Sequence, residues 1–429
     1  MSMQKISDRP SPAPLSRWSV IGVLTLAHAV GMLQRSSLSV VRVELSADFM
    51  LSATQFGLAA SMYFYAYTIG QIPMGYSVDH AGPRLTSSVA FLFVGLGAIV
   101  SSLTHDLTLL YVGRFVMGLA GAAIFVSLMK AQSVWFHPNE FATVSGIVAL
   151  FTNLGALTAQ YPLAFLVSLV HWRVIFSGIA LFSLLVAWNI WKYVRDRPDG
   201  PSFGPASIDE KEKPHLPREL RQILKAPGMP AALAAYCLTQ GPYMALSAVW
   251  GVSYVMEIYG KDAVFASLLT GCLILGMMGG GILIGCLSDR WGRRRPLLAM
   301  TSLLHLAGWL VLLGVDNLPI WAVFASFLGI GLANSSAVLY WTVMKELGPP
   351  KSTGLVIAIG NTASFLSSAL CTYAIGVLLD FFGNLGVLAR YQRAFWMCAA
   401  LVALSLLVLF FLPETGAGAR RNRTGKASA

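Results

Sequence analysis

Twelve stretches of this chain are apolar for about 20 residues or longer, the length that crosses a hydrocarbon core of roughly 30 Å as a helix. They lie near 18–40, 52–76, 85–104, 108–134, 140–168, 172–192, 230–257, 263–287, 296–315, 318–344, 354–379 and 392–412. Backbone in hydrocarbon must satisfy its own hydrogen bonds, so runs of this kind are read as spanning helices. The expectation is an all-α membrane protein with twelve transmembrane helices. Composition agrees, with 56% of the 429 residues hydrophobic and 11% charged, against about 25% charged in a typical water-soluble domain. Residues 1–17 are polar and Pro-rich and the first run is long enough to span, so no cleavable secretory signal is evident.

The net charge of +11 reads as topology, not as a nucleic-acid surface. With the N-terminus inside, 22 of the 30 Lys and Arg fall in cytoplasmic segments and five (Arg42, Arg173, Lys261, Arg390, Arg393) fall outside. That bias follows the positive-inside rule and places both termini in the cytoplasm, as expected of a bacterial inner (plasma) membrane protein. The five cysteines sit in apolar runs without paired metal-type spacing, so neither a disulfide framework nor a metal site is suggested. A nucleophile and base pair, a metal cluster or a phosphate loop is likewise missing from the pattern. We therefore expect no enzyme and no cofactor.

The runs divide six and six. Expected segments are a cytoplasmic tail (1–17), a six-helix bundle (18–192), a cytoplasmic linker (193–229) with six prolines, a second bundle (230–412) and a tail (413–429). Within the linker, PRELRQILKAP offers Leu220, Ile223 and Leu224 on one side, which suits a short surface helix; a disordered connector is the alternative. One device occurs in both halves. GYSVDHAGPR (75–84) and GCLSDRWGRRRP (285–296) match at a constant offset of 210, with Gly75, Asp79, Gly82 and Arg84 against Gly285, Asp289, Gly292 and Arg294. A tight turn between helices needs glycine where a Cβ would clash, arginines hold it on the anionic side of the membrane, and the aspartate can pair with them or with a helix N-terminus. Such a contact either biases a conformational change or only sets topology.

These two segments resemble the G-x-x-x-D-x-x-G-x-R signature of the major facilitator superfamily, and the six-plus-six layout is similar over residues 18–412. The resemblance implies two pseudo-symmetric six-helix bundles and transport by alternating access. Gly75, Asp79, Gly82, Arg84, Asp289 and Arg294 are then candidates for conformational gating.

A cation within a span costs about 2.5–3.5 kcal/mol on insertion scales and is retained facing a bundle interior or wet cavity. Arg35 and Arg114 are such cations at similar depths. Guanidinium is the group that grips a planar oxyanion by two parallel bonds; RFVMGLAG around Arg114 also resembles a common packing motif of the fourth helix. QRSSLSVV (34–41), YTIGQIPMG with Tyr67 and Gln71, and the GRF of span 4 resemble the anion:cation symporter family, which includes sugar-acid transporters. By that resemblance Arg35 and Arg114 bind a substrate carboxylate. The pattern departs where family members commonly carry acids, since Gln34, Met117 and Gly121 stand there and no Asp or Glu lies deep in a span. His28, two turns before Arg35 on one face, is the visible substitute; a packing histidine is the other reading. Lys130 is turned away from Arg114 and can snorkel to water.

Span 7 carries Tyr236, Gln240, Tyr243, Ser247, Trp250 and Tyr254 at spacings of three and four, a polar-aromatic stripe suited to a cavity wall. Trp250 and Tyr254 alternatively belong to an interfacial belt. Gln160, Asn334, Trp341 and Asn361 complete the candidate set with Gln240 and Tyr243. We expect a monomeric secondary transporter that imports a small organic anion with H⁺ or Na⁺; a drug or metabolite exporter, or a transporter-like receptor, is the alternative. LGALTAQYPLA in span 5 lacks the G-P-x-x-G-G run common in exporters.

Overall fold

The computed structural model describes residues 17–137, 140–198, 216–314, 318–349 and 353–416; the terminal tails and residues 199–215 of the linker lie outside them. In chain order the helices are α1 (Arg17–Ser36), α2 (Arg42–Phe49), α3 (Ala53–Leu103), α4 (Leu107–Trp135), α5 (Phe141–Thr158), α6 (Tyr161–Leu169), α7 (Trp172–Tyr193), α8 (Leu216–Lys225), α9 (Met229–Ala245), α10 (Gly251–Tyr259), α11 (Ala263–Trp291), α12 (Arg295–Gly314), α13 (Ile320–Asn334), α14 (Ala337–Leu347), α15 (Thr353–Phe381) and α16 (Val387–Val408). No strand occurs among the described residues. Nine helical stretches among them are long and apolar enough to cross a membrane; α1 and the α9–α10 stretch are not among the nine.

Local chemistry sets the ends. Ser52 and Gln55 form a reciprocal capping box at the start of α3, and Asp106 and Asp262 accept the Leu109 and Phe265 amides at the starts of α4 and α11, supplying partners that a helix N-terminus lacks. α3 contains two of the predicted runs and turns at Gly82 (φ 83°, ψ 159°). A Cβ there would also lie 2.5 Å from a carboxylate oxygen of Asp196, so both conformation and space demand glycine. The clash argument does not extend to Gly75 and Gly285, where a methyl group meets nothing within 4 Å. The linker helix forms as α8, with Ile223 fully buried and Leu224 exposed.

Four predicted runs are interrupted. The first breaks over Ser37–Val41 and continues as α2, well past its predicted end. The fifth breaks at Ala159 and Gln160, the tenth at Ser335 and Ser336, and the seventh passes through a π-helical turn, Leu246–Trp250, after Pro242. Irregular backbone at membrane depth is tolerated where protein or a cavity covers it, and each break adjoins a residue singled out from the sequence: Arg35, Gln160, Asn334 or Ser247.

Candidate substrate site

Arg35 occupies the last turn of α1, just before the break. Its guanidinium lies 5.8 Å from the centre of the Phe365 ring and has Tyr63, Tyr67 and Tyr243 as electrostatic neighbours. The Nε atom is buried without a hydrogen-bond partner among the described residues. Tyr67 and Phe365, from opposite halves of the chain, stack at 4.0 Å and 17° beside it. The Tyr67 hydroxyl has Gln71 on its own helix and Asn361 across the junction within reach as partners. Arg35, Tyr67, Gln71, Asn361 and Tyr243 are thus gathered where the halves meet.

Arg114 points elsewhere. Its Nη1 donates to the Gln34 carbonyl (3.0 Å) and its guanidinium lies 5.2 Å from the Tyr63 ring centre, while Nε is buried and unpartnered. It lines a cavity of about 20 Å³ with Gln34, Ser37, Met117 and Trp172, room for a water rather than for a sugar acid. Gln34 Nε2 donates to Ser183 on α7 (2.7 Å). Arg114 therefore braces the broken end of α1, and the Tyr63 ring is a neighbour of both arginines. Gly118 lets α4 approach this closely, since a Cβ there would lie 2.2 Å from the Tyr63 carbonyl. At Gly121 a Cβ would lie 2.9 Å from the Tyr63 hydroxyl, so the phenol fills the space that an acid at that position would take.

In the second half, Tyr243 and Asn334 converge on Met277, the hydroxyl 3.5 Å and Nδ2 3.7 Å from its sulfur. Gln160 donates to the Ser247 carbonyl in the π-helical turn (3.3 Å), joining the two halves. Gln240 is buried with Oε1 unpartnered, and Trp341 neighbours Tyr236. Trp250 and Tyr254 are buried, and Trp250 Nε1 donates to the Thr372 carbonyl (3.0 Å). That rules out the interfacial-belt reading, because the apolar faces of both rings are covered by protein. His28 Nδ1 lies 3.4 Å from the Thr152 hydroxyl, its ring 5.7 Å from that of Phe125, with Arg35 an electrostatic neighbour.

Around the duplicated loops, Asp79 pairs with Lys130 on α4 (2.7 Å), a partner the sequence reading left in water. The Arg84 amide donates to Asp196 (2.8 Å), its Nε to the Trp191 carbonyl (2.9 Å). In the second half the Arg294 and Arg295 amides donate to Glu414 (2.6 and 3.2 Å), and Arg294 pairs with Glu346 (3.6 Å) and bonds Ser288. Asp196 and Glu414 both follow the last helix of their half, so the repeat extends to a carboxylate seated on the start of the third helix. The Asp289 side chain lies outside the described ones.

Two helical halves with a guanidinium at their junction are the arrangement to be compared with known proteins. The sequence profile of the Major Facilitator Superfamily matches residues 24–370 and 232–428, and the chain belongs to that superfamily: it is a membrane transporter rather than an enzyme. It is similar to the hexuronate transporter of Bacillus subtilis, 25% identical over 408 residues that cover 92% of this chain and 94% of that one. It is also similar to a quinolone resistance transporter of Acinetobacter baumannii, 23% identical over 92% of both chains. The crystal structure of a D-xylose-proton symporter superposes with a TM-score of 0.73 at 16% identity, covering 93% of this chain and 98% of that one.

Proposed function

We propose that the chain is a monomer of a bacterial inner membrane, both termini cytoplasmic, that imports a sugar acid or similar small carboxylate by alternating access. The observation that carries this is Arg35, a guanidinium at the junction with tyrosines and a phenylalanine around it and no ion pair among the described residues. A buried cation without a counter-charge is strongly disfavoured, and a substrate carboxylate supplies that charge. Tyr67, Gln71, Gln160, Gln240, Tyr243, Asn334, Trp341 and Asn361 are proposed to hold the hydroxyls, with Arg114 fixing the α1 break or reaching the substrate itself. The hexuronate-transporting relative supports this ligand class. Coupling is to H⁺ or Na⁺, with His28 as the proton candidate. The relative named for quinolone resistance supports a second reading, an exporter.

The test is a thermal-shift screen of D-glucuronate, D-glucarate, L-galactonate and neutral sugars on purified protein, because a ligand that binds only the folded state stabilises it. We expect stabilisation by an acid, lost in Arg35→Gln and weakened in Arg35→Lys, since an ammonium lacks the two-pronged grip. Stabilisation intact in Arg35→Gln sinks the anion site. Liposome uptake of the stabilising acid under imposed pH and Na⁺ gradients, with and without His28→Gln, then identifies the coupling ion; efflux of a quinolone in place of acid uptake favours the exporter.

A further inference from the structure

Seven positions beyond Arg35, across the α1 break, a second arginine meets the other half of the molecule. Arg42 Nη1 bonds Glu257 on α10 and donates to the Tyr391 hydroxyl on α16 (3.0 Å). Its guanidinium lies 5.5 Å from the Phe56 ring centre and 5.0 Å from that of Trp250. Glu257 is shared: Arg390 Nη2 donates to its other oxygen (2.6 Å), and the Tyr391 hydroxyl donates to it as well (3.0 Å). The cluster closes the end of the bundle opposite the duplicated loops, where Asp380 also accepts the Ala53 and Thr54 amides (3.0 and 2.7 Å).

The two arginines stand differently toward a parting of the halves. Glu257, Arg390 and Tyr391 all belong to the second half and separate as a satisfied group. Arg42 belongs to the first half and leaves its carboxylate behind. Two acids of its own half are close in sequence. Glu44, two positions on, lies about 200° round α2 from Arg42 and has a buried carboxylate oxygen without a hydrogen-bond partner among the described residues, and Asp48 is engaged by Arg173 (3.2 Å) and the Trp172 indole (3.0 Å). Opening therefore bares a guanidinium without a counter-charge, beside the Phe56 ring, on the segment that leads to Arg35.

We propose that Arg42 is an entry subsite for the carboxylate of an organic anion, occupied by Glu257 while this end is closed and by the substrate when it opens. Substrate and Glu257 exchange at one guanidinium, so arrival of the anion stabilises the open mouth and departure toward Arg35 lets Glu257 return. This rests on the organic-anion reading above, to which it adds a second, conformation-dependent site.

The test uses the full chain in intact cells, its five cysteines replaced by serine and Ser46→Cys, one turn beyond Arg42, as reporter. Two methanethiosulfonates of opposite charge, one bearing a sulfonate and one a trimethylammonium, are added outside and the ratio of their reaction rates is taken. The ratio cancels changes in how often the mouth opens. A unit charge within about 8 Å in a wet mouth shifts it roughly fivefold. Arg42→Gln should lower the ratio by about that factor, Arg42→Lys should preserve it, and Glu257→Gln, which frees the mouth to open, should speed both reagents with little change in the ratio. Acetate should slow the sulfonate reagent more than chloride at equal ionic strength, and Arg42→Gln should abolish the difference. A ratio indifferent to Arg42→Gln, a reporter that neither reagent reaches from outside, or acetate acting no better than chloride overturns the subsite. Arg42→Met, apolar and of similar length, serves if the glutamine variant does not fold. A sugar-acid screen without a hit alongside an intact Arg42 response defeats the sugar-acid reading and leaves the anion subsite standing.

Discussion

The two ends of the bundle differ in whether an ion pair among the described residues crosses between the halves: Arg173 to Asp48 and Arg390 to Glu257 stay within a half at the far end too, but Arg42 to Glu257 does not. At the duplicated loops the pairs tie each half to itself: Arg17 to Glu140, Asp79 to Lys130, Arg294 to Glu346. At the other end Arg42 reaches across to Glu257, and Asp380 sits on the start of α3. Among the described residues, the hydrogen bonds found to join the halves lie at this far end or at mid-depth, where Ser61 donates to the Ala369 carbonyl (2.9 Å) and Gln160 to that of Ser247. Charges within a half make a rigid body, whereas charges between halves hold one state against another. This arrangement fits a conformation closed at the far end, and the proposed alternating access needs the crossing contacts to be the ones that break.

The largest effect is therefore expected at Glu257. Glu257→Ala leaves Arg42 and Arg390 without their shared carboxylate. Breaking a fully buried pair costs about 3–5 kcal/mol; with 27% of the Glu257 side chain exposed, roughly 2–3 kcal/mol is expected against the closed far end. Distances between spin labels placed across that end should shift to a long population in the variant. A distribution identical to the parent's would mean that the crossing pair is not a latch.

Much of this was legible in the sequence, for reasons that differ by residue. The apolar runs announce helices because hydrocarbon permits little else, and Gly82 and Arg84 announce a turn because they recur 210 positions on. Arg35 stood out because charge in a span is rare. Phe365, which stacks beside it, carries no such mark, being one apolar residue among many in its run. Tyr63 was likewise hidden, and its placement explains a departure that the sequence only raised: its hydroxyl fills the space beside Gly121. The similar depths of Arg35 and Arg114 were readable, but their directions were not, because the α1 break turns the Gln34 carbonyl toward Arg114 and a helical wheel drawn through the break cannot show it. Asp196, Glu414 and Glu257 carry no mark in the sequence, being charges near helix ends like many others; only tertiary packing seats them on a partner.

A smaller effect separates the glycines of the loop end. Gly82→Ala adds a Cβ at φ 83° and presses it on Asp196, whereas Gly75→Ala adds one in open space. At φ 83° and ψ 159° the backbone lies in a region open essentially to glycine alone, where another residue costs about 1–3 kcal/mol, and displacement of Asp196 from the Arg84 amide adds to it. Gly82→Ala should lower the unfolding midpoint of the purified protein by several degrees and Gly75→Ala should leave it unchanged or raise it. Equal behaviour of the two would remove the distinction between the glycines.

The smallest effect is expected at Asp79, and it decides what the loop end does. Its pair with Lys130 joins α3 to α4 within one half, with 39% and 28% of the two side chains exposed. Pairs of this exposure contribute about 0–1 kcal/mol, so Asp79→Asn should lower stability little and leave ligand affinity nearly intact. If the pair only braces the first half, spin-label distances across both ends stay as in the parent and uptake falls only slightly. If it biases gating, as the family resemblance of the duplicated loops implies, the populations shift by a few fold without loss of binding, in the range that about 1 kcal/mol allows. Unchanged distances and uptake in Asp79→Asn, beside a large shift in Glu257→Ala, would leave the crossing contacts as the seat of the conformational balance and the loops as devices of topology and rigidity.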